Sequence, residues 1–92
     1  MGLAVLSTAS HREALRSIGR HLAARRRELA LTQEQLGRRI GVSQFQVSEW
    51  EHGKRDLRTS TLIRLACALG LELRIECVGA PPRGAVPLAA RG

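Results

Sequence analysis

Residues 31–53, LTQEQLGRRIGVSQFQVSEWEHG, decide the fold because they contain two helix starts with a glycine turn at Gly41 between them. Thr32 followed three positions later by Gln35 is a capping box, in which each side chain satisfies a backbone N–H of the other residue. Ser43 begins a second box after Gly41, which can adopt the left-handed conformation of a helix C-cap. The stretch therefore predicts two short helices joined by a tight turn.

Apolar residues at helical spacing also occur between the N-terminus and residue 31. A further capping box at Ser10 and Glu13 predicts a first helix over about residues 11–29. Gly19 lowers the helix propensity of its first half. The expected buried face of this helix consists of four aliphatic side chains: Leu15, Ile18, Leu22 and Leu29.

A fourth helix is predicted on the other side, from Thr59 or Ser60 to Leu69, with Gly70 as its cap. Two short helices joined by a glycine-containing turn are the helix-turn-helix motif. The chain is therefore predicted to be mostly α, a small four-helix bundle with one such domain over residues 11–70, after a flexible N-terminus at 1–10.

The hydrophobic spacing changes to alternation over residues 71–78, which predicts one short strand. Its inward-facing residues are Leu71, Leu73, Ile75 and Cys77. A lone strand cannot satisfy its own backbone groups, so the simplest partner is the same strand in a second copy, which predicts a homodimer. The alternative is a helical extension or coil. Residues 79–92, rich in Gly, Ala, Pro and Arg, are predicted to be a disordered tail.

The charge of +7, with 15 Lys and Arg against 8 Asp and Glu, favours a polyanionic partner, nucleic acid or an anionic membrane surface. All the cations but Lys54 are arginines, which suit bidentate contacts to phosphate and guanine. GC-rich coding sequence also raises the arginine count, but it does not explain the net charge.

No apolar run reaches the roughly 20 residues that span a bilayer. Two cysteines do not make a disulfide scaffold, so the default location is a reducing bacterial cytoplasm, with the protein at the nucleoid and not at a membrane.

Catalysis finds no support in the sequence. His11, His21 and His52 are scattered without metal-ligand spacing. The sequence has no phosphate loop, no nucleophile elbow and no pair of carboxylates in a plausible pocket. The chain is therefore predicted not to be an enzyme, with no catalytic residues, no metal and no cofactor.

Residues 22–70 resemble the Cro/cI-type (XRE-type) helix-turn-helix family of transcriptional regulators. The resemblance rests on pieces with matching spacing: LTQEQL at 31–36, IGVSQ at 40–44, VSEWE at 47–51, GKR at 53–55 and the helical stretch 62–70. It implies a lambda repressor-like fold, in which an ion pair between Arg26 and Glu51 fixes the recognition helix. The sequence departs from the family pattern at three positions. Gly37 stands where the family usually has Ala, Trp50 where it mostly has Ile or Leu, and Leu57 where Pro is common.

The recognition helix of such a motif enters the major groove, and its N-terminal residues meet base edges. This helix is expected at 43–52, with base contacts from Gln44, Phe45, Ser48 and Glu49. Gln44 suits adenine and Glu49 suits cytosine N4. Phe45 either contacts a thymine methyl group or folds back onto the corner between the two helices.

A second set of residues is expected to hold phosphates, which position the protein without specifying sequence. These residues are Gln33, Ser43, Gln46, Lys54, Arg55, Arg58 and Thr59. Gln33 lies at a helix N-terminus, where backbone N–H groups also favour anions. Gln46 is alternatively used by the Ser43 cap.

These features together predict a homodimeric, sequence-specific repressor that binds double-stranded DNA at a palindromic operator. The join at residues 70–73 and the strand also resemble HipB-type antitoxins, which repress their own operon and bind a kinase-like toxin. An interpretation of another class is a protein-interaction adaptor that uses the same bundle. An adaptor would be expected to carry apolar or acidic residues at 43–49.

Overall fold

The computed structural model describes residues 11–75 and residue 79 and contains four α-helices within them. The helices are α1 (His11–Glu28), α2 (Gln33–Ile40), α3 (Gln44–Glu51) and α4 (Thr59–Ala68). The prediction of a mostly α, four-helix domain is confirmed. The proposed Ser10 cap, with the rest of the predicted flexible N-terminus, lies outside the described residues.

The ends of α2 and α3 follow from local hydrogen bonds. Thr32 Oγ1 accepts from the Gln35 backbone N–H at 3.0 Å, and the Gln35 side chain accepts from the Thr32 N–H at 2.8 Å. Ser43 and Gln46 form the same reciprocal pair, with both distances 3.2 Å. Gly41 ends α2 with φ at 76°, in the left-handed region where glycine has no Cβ to clash. Both capping boxes therefore form as the sequence predicts.

The core lies between the helices and is mostly aliphatic, consisting of Leu22, Leu36, Ile40, Val47, Trp50, Leu65 and Leu69. Val47 and Trp50 supply the inner face of α3, as predicted. The prediction for Leu29 is wrong, because this side chain is 39% exposed. The reason is that α1 ends at Glu28 and the chain turns through Ala30, whose φ is 55°, so the helical period no longer applies.

Gly19, expected to weaken α1, instead marks the place where α1 and α3 touch. It is buried, and a Cβ atom there would lie 2.4 Å from the carbonyl oxygen of Trp50 and 2.5 Å from that of Glu51. A Cβ atom on Gly37 would similarly lie 2.6 Å from the carbonyl oxygen of Val42. The absence of a side chain at Gly19 therefore sets how closely the end of α3 approaches α1.

Two arginines connect α4 to the other helices. Arg25 Nε donates to the carbonyl oxygen of Leu69 at 2.9 Å, and Arg64 Nη2 donates to that of Ile40. Each bond joins a cation to the C-terminal end of a helix, where carbonyl groups lack intrahelical partners. These contacts hold α1 and α2 against α4 and thereby stabilise the bundle that supports α3.

Residues 71–75 follow α4 without regular secondary structure. The Leu71 N–H donates to the carbonyl oxygen of Ala66 at 2.8 Å, and the Leu71 side chain packs against the core. Cys77 lies outside the described residues, as do its neighbours 76 and 78. Of the predicted tail, only Gly79 is described. The strand, and the homodimer and antitoxin interpretations that depend on it, stay predictions.

Candidate nucleic-acid interface

The residues expected to contact bases lie on the outer side of α3. Gln44 and Phe45 are exposed in its first turn, and Ser48 and Glu49 are half-buried in the next. The Phe45 ring is 66% exposed, although apolar side chains of this size are usually buried. The structure therefore does not support the alternative in which Phe45 packs onto the core, and it leaves the ring accessible to a ligand.

Ser43 and Gln46 are both used in the cap of α3. Gln46 Oε1 accepts from the Ser43 N–H, while Ser43 Oγ accepts from the Gln46 N–H. Capping uses only the oxygen of the Gln46 amide, so its nitrogen keeps its two donor hydrogens. A phosphate contact from Gln46 is therefore compatible with its role in the cap.

A buried ion pair holds the C-terminal end of α3 against α1. Arg26 Nε lies 2.7 Å from Glu51 Oε2, and Arg26 Nη2 lies 3.0 Å from Glu51 Oε1. The two side chains are only 10% and 4% exposed. The third guanidinium nitrogen of Arg26 donates to the carbonyl oxygen of Leu31 at 2.8 Å, so each nitrogen has a partner. This bidentate geometry fixes orientation as well as distance.

The hydrogen bond to Glu51 raises the pKa of the Arg26 guanidinium above its ordinary value, and the carboxylate charge adds to this effect although burial opposes it. A raised pKa means that the stabilising interaction is fully present below the pKa of arginine in the unfolded chain. It is lost only as the pH rises through the still higher value in the folded protein. Arg26 therefore stays charged, and its contribution stays constant, throughout the neutral range.

Gln33 joins this ion pair instead of extending freely from α2. Its side-chain Nε2 donates to Glu51 Oε1 at 2.9 Å. Glu51 therefore accepts hydrogen bonds from both α1 and α2 while it belongs to α3. The phosphate contact predicted for Gln33 stays a prediction, and it would use the remaining amide hydrogen or the backbone N–H.

The loop between α3 and α4 carries the expected phosphate-binding residues. Lys54, Arg58 and Thr59 are exposed, and the two basic side chains form no hydrogen bond or ion pair with any other described residue. Arg55 differs, because its Nε and Nη2 donate to Glu49 Oε1 at 2.9 and 2.6 Å. The sequence predicts separate roles for Arg55 and Glu49 and gives no sign of their contact. A spacing of six across a helix end is not a helical contact, so no periodicity indicates it.

The histidines do not converge on a site. His21 Nδ1 lies 2.7 Å from the carbonyl oxygen of Ser17, and His52 Nδ1, just past the end of α3, lies 2.7 Å from that of Ser48. Within residues 11–75 and Gly79, no three His, Cys, Asp or Glu residues come together in a group that could hold a metal ion. None of the four helices combines the length and the apolar character needed to cross a membrane.

The fold and the exposed face of α3 define a helix-turn-helix protein. The chain belongs to the helix-turn-helix family HTH_3, of the XRE type, whose family model matches residues 22–75. It is similar to an uncharacterised HTH-type transcriptional regulator of Sinorhizobium fredii, with 44% identity over 54 residues that cover 59% of this chain and 70% of the relative.

Two further proteins are similar. An uncharacterised transcriptional regulator in the ATPase CF(0) region of Rhodospirillum rubrum is 39% identical over 56 residues, which cover 61% of this chain. This chain spans 52% of the length of that relative. The crystal structure of the restriction-modification controller protein C.AhdI from Aeromonas hydrophila superimposes with a TM-score of 0.65 and 30% identity. That match covers 68% of this chain and 91% of the controller protein.

Proposed function

We propose that this protein is a sequence-specific transcriptional repressor that binds a palindromic operator as a homodimer through residues 43–52. The observation that carries the proposal is the two-sided character of α3. Val47, Trp50 and Glu51 are buried against the bundle, whereas Gln44 and Phe45, in the first turn of α3, are exposed. The similarity to two transcriptional regulators and to a controller protein supports the same function.

The exposed residues of α3 suit direct readout of a duplex. The Gln44 amide can both donate and accept, which matches adenine N6 and N7, and the Phe45 ring can contact a thymine methyl group. Lys54 and Arg58 lie just beyond α3 and can bind the phosphates on either side of the groove. The amide groups of Gln44 and Gln46 also make this surface more polar than a protein-interaction adaptor would require.

Replacing Gln44 with alanine is expected to weaken binding to the preferred sequence by about 5- to 150-fold, because one bidentate base contact is lost. Binding to unrelated duplexes should stay the same. Lys54→Ala is the matched control, because loss of a phosphate contact weakens all sequences alike and lowers the salt slope by about 1. The measurement is fluorescence anisotropy with a site selected from random duplexes. Equal losses on all sequences for Gln44→Ala would contradict direct readout by this residue.

The homodimer is tested by removing residues 73–92, a deletion that leaves Leu71 and its bond to Ala66 intact. We expect the full chain to be dimeric and the shortened chain to be monomeric by light scattering. The full chain should protect two half-sites about 34 Å apart, one helical turn of DNA. A shortened chain that stays dimeric would show that the strand does not hold the two copies together.

A further inference from the structure

The contact between Arg55 and Glu49 lies at the edge of the proposed DNA-binding face. Both hydrogen bonds from Arg55 end on one oxygen, Glu49 Oε1, and they come from Nε and Nη2. The side chains are 42% and 24% exposed, so the pair is accessible from outside. A guanidinium has five N–H donors, and this arrangement uses two of them. The donors that remain are the two hydrogens of Nη1 and the outer hydrogen of Nη2.

The loop holds Arg55 in place on both sides. The Lys54 N–H donates to the carbonyl oxygen of Glu49 at 2.9 Å, which joins the start of the loop to α3. Trp50 Nε1 donates to the carbonyl oxygen of Asp56 at 3.2 Å, so the residue after Arg55 is attached to a buried ring. Arg55 therefore extends from a short segment that is attached to α3 at both ends. This restriction lowers the conformational entropy that the loop backbone would lose on binding, and the bonds to Glu49 do the same for the side chain.

We propose that Arg55 reads a guanine in the major groove and that Glu49 is the residue that positions it. The proposal rests on the proposed function, since it names a specificity determinant within the same interface. The free ends of Nη1 and Nη2 form a parallel fork, the geometry that bonds guanine O6 and N7 together. Glu49 holds the side of the guanidinium and leaves this fork free.

The net charge of the Arg55–Glu49 pair also favours base readout by Arg55 over a phosphate contact. Glu49 cancels the charge of Arg55, so the pair as a unit has little attraction for the phosphate backbone. Lys54 and Arg58, by contrast, have no acidic partner among the described residues. Arg55 then contacts a base where the sequence predicts a phosphate contact, and Glu49 positions Arg55 where the sequence predicts direct readout of cytosine.

The test is to select binding sites from a random duplex pool with the full chain and with Arg55→Lys, Glu49→Gln and Arg27→Lys. Lysine keeps the charge but cannot form the fork. The unmodified chain should prefer a G·C pair at one position in each half-site. Arg55→Lys should lose that preference by about 5- to 150-fold and keep the others. Arg27→Lys, the matched control on an exposed arginine of α1 outside the proposed interface, should select the original sequence.

Glu49→Gln supplies a second readout. Without the carboxylate charge, Arg55 becomes free to bind phosphate, so binding to unrelated duplexes should become tighter and its salt slope steeper by about 1. Its preference for the G·C pair should decline at the same time. An unchanged G·C preference in Arg55→Lys would overturn the inference while leaving the proposed function intact. If the unmodified chain selects no sequence at all, the proposed function fails and the inference fails with it.

Discussion

Replacing Arg26 with alanine is expected to lower the free energy of unfolding by about 3–5 kcal/mol, because it leaves Glu51 as an uncompensated buried charge. Glu51 is 4% exposed and would keep only the hydrogen bond from Gln33. The substitution also removes the donor to the carbonyl oxygen of Leu31. Domains of this kind have a total stability of about 5–15 kcal/mol, so the substitution removes a substantial part of it. Urea denaturation followed by circular dichroism measures the change.

The arginine run 25–27 provides a matched control for this prediction. Arg27→Ala removes the same kind of side chain from the next position, where it is exposed and unpaired within the described part of the chain. Its free energy of unfolding should hardly change. The double variant Arg26→Met, Glu51→Leu should be more stable than Arg26→Ala, since no charge stays buried. Similar losses for Arg26→Ala and Arg27→Ala would show that the ion pair contributes little.

Gly19→Ala is expected to destabilise the protein by about 1–3 kcal/mol, even though alanine is the better helix former by about 1 kcal/mol. The new Cβ atom would lie 2.4 Å from the Trp50 carbonyl oxygen and 2.5 Å from that of Glu51. Both obstacles are backbone atoms, which cannot rotate away as a side chain could. The end of α3 would have to move away from α1. Thermal unfolding gives the stability, and amide chemical shifts in Val47 to Glu51 report the displacement.

Ala24→Gly is the control for the intrinsic effect of glycine in this helix. Ala24 is exposed on α1 and lies away from the contact with α3. Its replacement should cost about 1 kcal/mol through helix propensity alone. If propensity governed both positions, Gly19→Ala would stabilise the protein by a similar amount. A rise in its melting temperature would therefore refute the close-contact explanation.

Sequence patterns predicted the parts of the fold that depend on neighbouring residues. The capping boxes at Thr32 and Ser43 join residues three apart, and the turn at Gly41 needs only its own backbone angles. These signals can be read without knowing how the helices pack. Leu29 shows the limit of such reasoning, since its apolar character fits α1 but the helix ends one residue earlier.

Contacts between distant residues could not be predicted in this way. The family resemblance implied the contact between Arg26 and Glu51, which are 25 positions apart. Nothing in the sequence indicates that Gln33 also bonds Glu51, because that contact depends on where α2 lies relative to α3. The pairing of Glu49 with Arg55 depends likewise on the path of a loop.

The division of α3 into two faces also bears on how such a protein can change during evolution. Gln44 and Phe45 support none of the core, whereas Val47 and Trp50 are fixed by it. Substitutions on the outer face therefore leave the fold nearly as stable as before. A lineage could thus acquire a new target sequence through a few surface changes while Gly19 and the buried ion pair stay under constant selection. Stability and recognition can diverge independently along a helix of eight residues.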